Sequence, residues 1–154
     1  MSKSIQIGDK CPSFSLKDQH GKTFNSDEVI GDQNLIVYFY PKNETTGCTK
    51  QACSFRDAYT DFQAAGAMVI GISSDDEKSH MAFAENHNLP FTLLADTDKK
   101  VRKAFDVPTN LLGLIPGRVT YVIDKKGIIR GIFNSQMKFE QHVPEALRIL
   151  KEIK

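Results

Sequence analysis

The segment Leu35-Ile36-Val37-Tyr38-Phe39-Tyr40 is apolar at every position, rich in β-branched and aromatic residues, and bounded by Asn34 and Pro41. A strand that is apolar at both parities must be covered on both faces, so the chain has to build a layer on each side of it. A second run of this kind, Met68-Val69-Ile70-Gly71-Ile72, follows some thirty positions later. Between the two, Cys48, Ala52, Phe55, Tyr59 and Phe62 recur at helical spacing, and Gly66 stops the pattern. Strand, helix and strand in that order predict a parallel pair joined by a right-handed crossover.

The rest of the chain continues the alternation. Ser73 to Asp76 reads as a capping turn before a helix that runs to about Asn86, and Phe91–Leu94 as a further strand. Asp96–Phe105 is expected to be helical and Asn110–Gly117 to be a loop. Val119–Ile123 and Ile128–Phe133 flank Asp124-Lys125-Lys126-Gly127, a hairpin pattern, and a last helix starts near Pro144 with the stripe Val143, Leu147, Leu150, Ile153. Near the start, Phe14–Leu16 and Thr23-Phe24 flank Asp18–Gly21 as another hairpin. This order matches an α/β, thioredoxin-like fold: a mixed central sheet with an N-terminal β-hairpin extension and an inserted helical segment. At 154 residues, one domain over 1–154 is expected.

Composition narrows the function classes. Twenty basic residues against nineteen acidic ones leave a net charge of +1, so nothing in the total points to nucleic acid or to an anionic membrane. No apolar run approaches the ~20 residues of a membrane span. Residues 1–10 lack the apolar stretch of a signal peptide, so a cytoplasmic location is expected, with plastid stroma left open for a processed form. The three cysteines, Cys11, Cys48 and Cys53, are too few and uneven for a disulfide framework. The four histidines are scattered, and neither a metal nor another cofactor has a plausible ligand set.

The stretch from Pro41 to Cys53 carries the chemistry. It lies where a buried strand hands over to a helix, the end of the strand at which open α/β sheets place their sites. Cys48 falls in the first helical turn, where unpaired N–H groups and the helix dipole stabilise an anion, and the thiolate is the nucleophilic form of cysteine. Five residues on, Cys53 stands with its Cα about 8–9 Å from that of Cys48 on ideal helix geometry. A disulfide needs less than ~7 Å. Either the two thiols are unrelated, or the start of the helix unwinds during turnover. Thr45, three residues before Cys48, occupies the place where a Cys-x-x-Cys exchange centre has its first cysteine, and its hydroxyl can donate to and accept from a small polar substrate.

Pro41-x-x-x-Thr45-x-x-Cys48 resembles the active-site motif of the peroxiredoxins. Gly47-Cys48-Thr49-Lys50-Gln51-Ala52-Cys53-Ser54-Phe55-Arg56-Asp57 is similar to the bacterioferritin comigratory protein, or peroxiredoxin Q, subfamily. Weaker likeness at Gly8–Leu16, Gly71–Ser73 and Pro116–Asp124 follows in the same order. The resemblance implies that Cys48 is the peroxidatic cysteine, that Thr45 binds the peroxide, that Pro41 shields the thiolate and that Arg118 approaches it. It implies that Cys53 is the resolving cysteine, closing a Cys48–Cys53 disulfide. It further implies that hydrogen peroxide and small organic hydroperoxides are the substrates, that a thioredoxin-type dithiol protein is the reductant, and that no cofactor is used. A monomer, or at most a weak dimer, is expected.

Three positions depart from the pattern. Thr46 stands where the subfamily often has Pro, and Gln51 where many members have Glu; neither is assigned a role. Cys11 replaces a small residue and reads as a packed bystander. Two other activities suit the same residues: a thiol–disulfide oxidoreductase, which Thr45 argues against, and a non-catalytic redox sensor, which would consume a single equivalent of peroxide.

Overall fold

The computed structural model describes residues 5–110, 115–135 and 137–153. Its strands are β1 (Ser15–Asp18), β2 (Thr23–Asn25), β3 (Asn34–Phe39), β4 (Ala67–Ser73), β5 (Thr92–Ala95), β6 (Thr109–Asn110), β7 (Ile115–Pro116), β8 (Val119–Ile123) and β9 (Ile129–Asn134). Its α-helices are α1 (Thr46–Asp57), α2 (Tyr59–Ala64), α3 (Glu77–His87), α4 (Lys100–Ala104) and α5 (His142–Glu152).

Seven strands form one mixed sheet in the order β2-β1-β5-β4-β3-β8-β9. The pairs β3–β4 and β4–β5 are parallel, as the crossover helices require, and the remaining pairs are antiparallel. All of β3 is buried, and its two parities divide the core. Ile36, Tyr38 and the following Tyr40 pack with Phe55 of α1, Phe62 of α2, Phe83 of α3 and Leu150 of α5. Leu35, Val37 and Phe39 pack with Cys11, Phe14 and Phe105 in a second cluster. Here the both-parity apolar pattern of β3 becomes two apolar layers, one on each face.

Tyr38 ties β3 to α1: its ring stacks on Phe55 with centroids 4.5 Å apart and planes 16° from parallel. The neighbouring β4 makes room for that ring with Gly71, where an added Cβ would come within 2.8 Å of Tyr38 Cζ.

Four expectations are corrected. The single helical stripe from Cys48 to Phe62 belongs to two helices, because the backbone leaves helical geometry at Ala58 (ψ 6°). Phe55 and Phe62 remain on one face across the break, with ring centroids 5.6 Å apart. The helix expected from Asp96 starts only at Lys100, because the Asp96 carboxylate accepts from the N–H groups of Val101 and Arg102 and Lys99 turns left-handed. The loop expected over 110–117 contains a short antiparallel pairing of β6 with β7; residues 111–114 lie outside the described residues. The final helix begins at His142, and its fully buried face is Val143, Ala146, Ile149 and Leu150, with Leu147 and Ile153 only partly covered.

Phe55→Ala removes the ring that joins the helix layer to the central strand. Urea unfolding should show a loss of about 3–5 kcal/mol, the usual range for a buried aromatic truncated to Ala. A loss below about 1 kcal/mol would mean that this ring does not pack as described.

Candidate active site

The end of β3, the loop that follows it and the first turn of α1 come together with the start of β8. The antiparallel register pairs Phe39 with Val119, so the residue before Val119 lies beside the exit of β3. That residue is Arg118. Its guanidinium Nη1 donates to Cys48 Sγ at 3.4 Å and to Gln51 Oε1 at 2.6 Å. Cys48 is 1% exposed and Arg118 4%. A buried cation is costly without partners, and here a sulfur and an amide oxygen face it. Cys48 is the third residue of α1, so its sulfur also lies near the unpaired N–H groups of the helix start.

Gln51 is thus a site residue that the sequence reading left without a role. The signal was its position: three residues after Cys48, it lies on the same face of the helix. Phe139 was also missed. Its ring covers the first turn, with the Arg118 guanidinium carbon 5.7 Å and Lys50 Nζ 5.8 Å from the ring centroid. Ninety-one positions separate Phe139 from Cys48, and no local pattern announces the contact.

Thr45 is the N-cap of α1, yet its hydroxyl caps nothing. Oγ1 instead donates to the Lys42 carbonyl at 2.8 Å, which leaves its lone pairs exposed to solvent as acceptors. Pro41 is half-buried at the start of the loop. Two residues between them fasten the loop to α3 and to the turn before it. The Asn43 backbone N–H donates to Asp75 Oδ2 at 2.9 Å, and its side chain accepts from Tyr40 Oη at 2.6 Å. Asn43 Nδ2 lies 3.1 Å from Ser79 Oγ and 3.0 Å from His80 Nδ1, which must accept from it. Burial lowers the pKa of His80, in keeping with that neutral acceptor. Glu44, in a left-handed conformation (φ 63°), pairs with His87 Nε2 and Asn86 Nδ2, each at 2.7 Å. Those hydrogen bonds hold its carboxyl below the usual carboxylate range.

All three cysteines are free thiols. Because α1 is unbroken from Thr46 to Asp57, Cys48 and Cys53 share one helix and their Cα atoms are about 8–9 Å apart, beyond disulfide reach. Cys53 is half-buried. Cys11 sits in the other core cluster, across the sheet from Cys48. Burial first, then Asp27, pushes its thiol up to about 12, so it stays protonated near neutral pH.

The chain can now be set beside known proteins. The AhpC/TSA family model matches residues 7–132. A chloroplastic peroxiredoxin Q of Populus jackii is 53% identical over 149 residues, covering 97% of this chain and 70% of the relative. The Arabidopsis thaliana chloroplastic peroxiredoxin Q is 52% identical over 147 residues, covering 96% and 68%. The chain belongs to the AhpC/TSA family, in its peroxiredoxin Q branch. The crystal structure of the peroxidoxin BcpB from Mycobacterium tuberculosis superposes with a TM-score of 0.90 at 33% identity, covering 97% of this chain and 99% of that one. A cysteine-to-serine mutant of the Xylella fastidiosa PrxQ gives a TM-score of 0.88 at 28% identity, covering 98% of both. The thioredoxin-like fold expected from the element order is the observed one, and the protein is a thiol-dependent peroxidase.

One histidine beside the site has a measurable consequence. His142 is fully buried: its Nε2 donates to Ser135 O at 2.9 Å, and its Nδ1 accepts from Thr120 Oγ1 at 2.8 Å. Burial, with a further contribution from nearby Arg118, lowers its pKa from 6.5 to about 4. Below pH 6.5 the unfolded chain therefore binds a proton that the folded chain does not. Stability from this group is complete at neutral pH and declines as pH falls from about 6.5 to about 4, by roughly 3 kcal/mol in all. Urea midpoints across that window should fall less steeply in His142→Gln than in the parent. Equal slopes would mean that His142 titrates normally in the folded protein.

Proposed function

We propose that this peroxidase works through a Cys48 thiolate and a Cys48–Cys53 disulfide. The observation that carries the reading is the buried Arg118 guanidinium 3.4 Å from Cys48 Sγ at the start of α1. A hydroperoxide enters beside Thr45, whose oxygen accepts from the peroxide O–H while its own O–H keeps donating to the Lys42 carbonyl. The sulfur attacks one peroxide oxygen. The S–O bond forms, the O–O bond breaks, and the departing oxygen leaves as water or an alcohol after taking up a proton. Negative charge moves from sulfur to the leaving oxygen in this step, and Arg118 is placed to stabilise it. Pro41 covers the approach to the sulfur from the loop side.

The product is a Cys48 sulfenic acid. The first turn of α1 then unwinds, a low-cost opening at a helix end. The Cys53 thiol displaces water from the sulfenic acid and closes the disulfide. A thioredoxin-type dithiol protein reopens it by exchange, and hydrogen peroxide and small organic hydroperoxides are the substrates. We read the working unit as one domain over 1–154, a monomer or at most a weak dimer, in a reducing compartment. The cytoplasm is our reading from sequence, and the chloroplastic relatives favour plastid stroma as the alternative.

Cys48→Ser should leave only background peroxide consumption. Arg118→Met should lower the second-order rate with hydrogen peroxide on the order of 10²–10³-fold, the usual cost of losing one charge-stabilising donor. Peroxide consumption followed in stopped flow decides both: near-parental rates in either variant would move the chemistry elsewhere. In Cys53→Ser, intact mass after one equivalent of peroxide should show an added oxygen and no intramolecular disulfide. A Cys11–Cys48 bridge would reassign the resolving thiol.

A further inference from the structure

The hydrogen bonds of the loop before Cys48 run in one direction. The Lys42 carbonyl carries no proton, so in its 2.8 Å contact with Thr45 the hydroxyl is the donor. The peptide that bears this carbonyl also bears the Asn43 N–H, which donates to Asp75 Oδ2 at 2.9 Å. That peptide is trans, so its C=O and N–H point in opposite directions within one plane, and holding one aims the other. Ser73 Oγ donates to the same Asp75 oxygen at 2.7 Å. The chain of bonds starts at the Thr45 hydroxyl, crosses one peptide and ends on a carboxylate.

The carboxylate at the end acts in two ways. It holds the plane of the Lys42–Asn43 peptide, and it polarises that peptide, which makes the Lys42 oxygen a stronger acceptor. The stronger acceptor keeps the Thr45 proton on its side, so Thr45 faces the substrate with lone pairs only. The loop itself is placed without Asp75. The buried Asn43 side chain accepts from Tyr40 Oη at 2.6 Å and lies 3.0 Å from His80 Nδ1. Glu44, with φ 63°, is paired to Asn86 and His87. What Asp75 adds is the direction of the hydrogen bonds.

We propose that Asp75 is a positioning residue for peroxide binding: through the Lys42–Asn43 peptide, its carboxylate fixes Thr45 as a pure acceptor for the O–H of the hydroperoxide. This rests on the reading that Thr45 receives the substrate. A hydroperoxide whose O–H is taken by Thr45 presents its oxygens to Cys48 in one orientation. Where the Thr45 hydroxyl is free to turn, it also donates to the peroxide, and less productive orientations compete.

The test is a double-mutant cycle on the second-order rate of Cys48 oxidation by hydrogen peroxide, followed in stopped flow, with Cys48 titrated in each variant so that rates are compared per thiolate. Asp75→Asn keeps an oxygen for Asn43 N–H and Ser73 Oγ and removes the charge. It should lower the rate about fivefold, the order expected when a charge-assisted hydrogen bond becomes a neutral one. Asp76→Asn makes the same charge change one residue on, at the N-cap of α3, where Asn caps as well as Asp, and should leave the rate unchanged. In Thr45→Val, Asp75→Asn should cost nothing further, because its effect passes through the missing hydroxyl. In heteronuclear NMR the Asn43 amide proton should move upfield in Asp75→Asn and stay in place in Asp76→Asn. A parental rate in Asp75→Asn, or the same loss with and without the Thr45 hydroxyl, overturns the proposal and leaves the Cys48 chemistry standing. A parental rate in Thr45→Val overturns the placement of the peroxide as well.

Discussion

A guanidinium sealed from solvent beside a sulfur is the arrangement on which the rest of this structure depends. Taking a cation out of water costs several kcal/mol unless its donors are matched. The protein meets that cost with Cys48 Sγ and Gln51 Oε1 on α1 and the Phe139 ring. The placement follows from sheet order: β8 adds antiparallel to β3, so its first residues lie at the edge where β3 gives way to α1. Gly117 completes it, because any side chain there would overlap the Pro108 carbonyl.

Around this centre the two sides differ in how they are held. The loop before Cys48 is fixed by Asn43 to Asp75 and His80 and by Glu44 to Asn86 and His87. The helix turn after it is held by a half-buried ring against Gly47. Hydrogen bonds to a second helix resist opening more than one aromatic contact at a helix end does. In the proposed cycle the loop keeps these hydrogen bonds while the first turn of α1 opens.

Much of the scaffold was readable from local pattern. The runs at Leu35–Tyr40 and Met68–Ile72 became the central parallel pair, and Asp124-Lys125-Lys126-Gly127 became the turn between β8 and β9. The break at Ala58 was not readable, because the apolar spacing of Phe55 and Phe62 continues across it and periodicity cannot show a backbone that departs from helix for one residue. The start of α4 was placed early because Asp96, which resembles the first residue of a helix, spends its carboxylate on N–H groups five and six positions ahead. Gln51 was within reach of the sequence by its spacing from Cys48; it was given no role because it stands where many relatives have Glu, and its partner Arg118 is far away in the chain.

The order of elements, the position of Cys48 at a strand-to-helix junction and the distance that separates it from Cys53 are local properties, set by periods of two and of 3.6 residues along the chain. Tertiary structure alone decided how closely Arg118 approaches the sulfur, that Gln51 shares it, that Cys11 lies across the sheet, and that Phe139 rests on Gly47. Each of these joins residues far apart in the chain, and such contacts are specified by strand order and side-chain packing, which no single stretch of sequence contains.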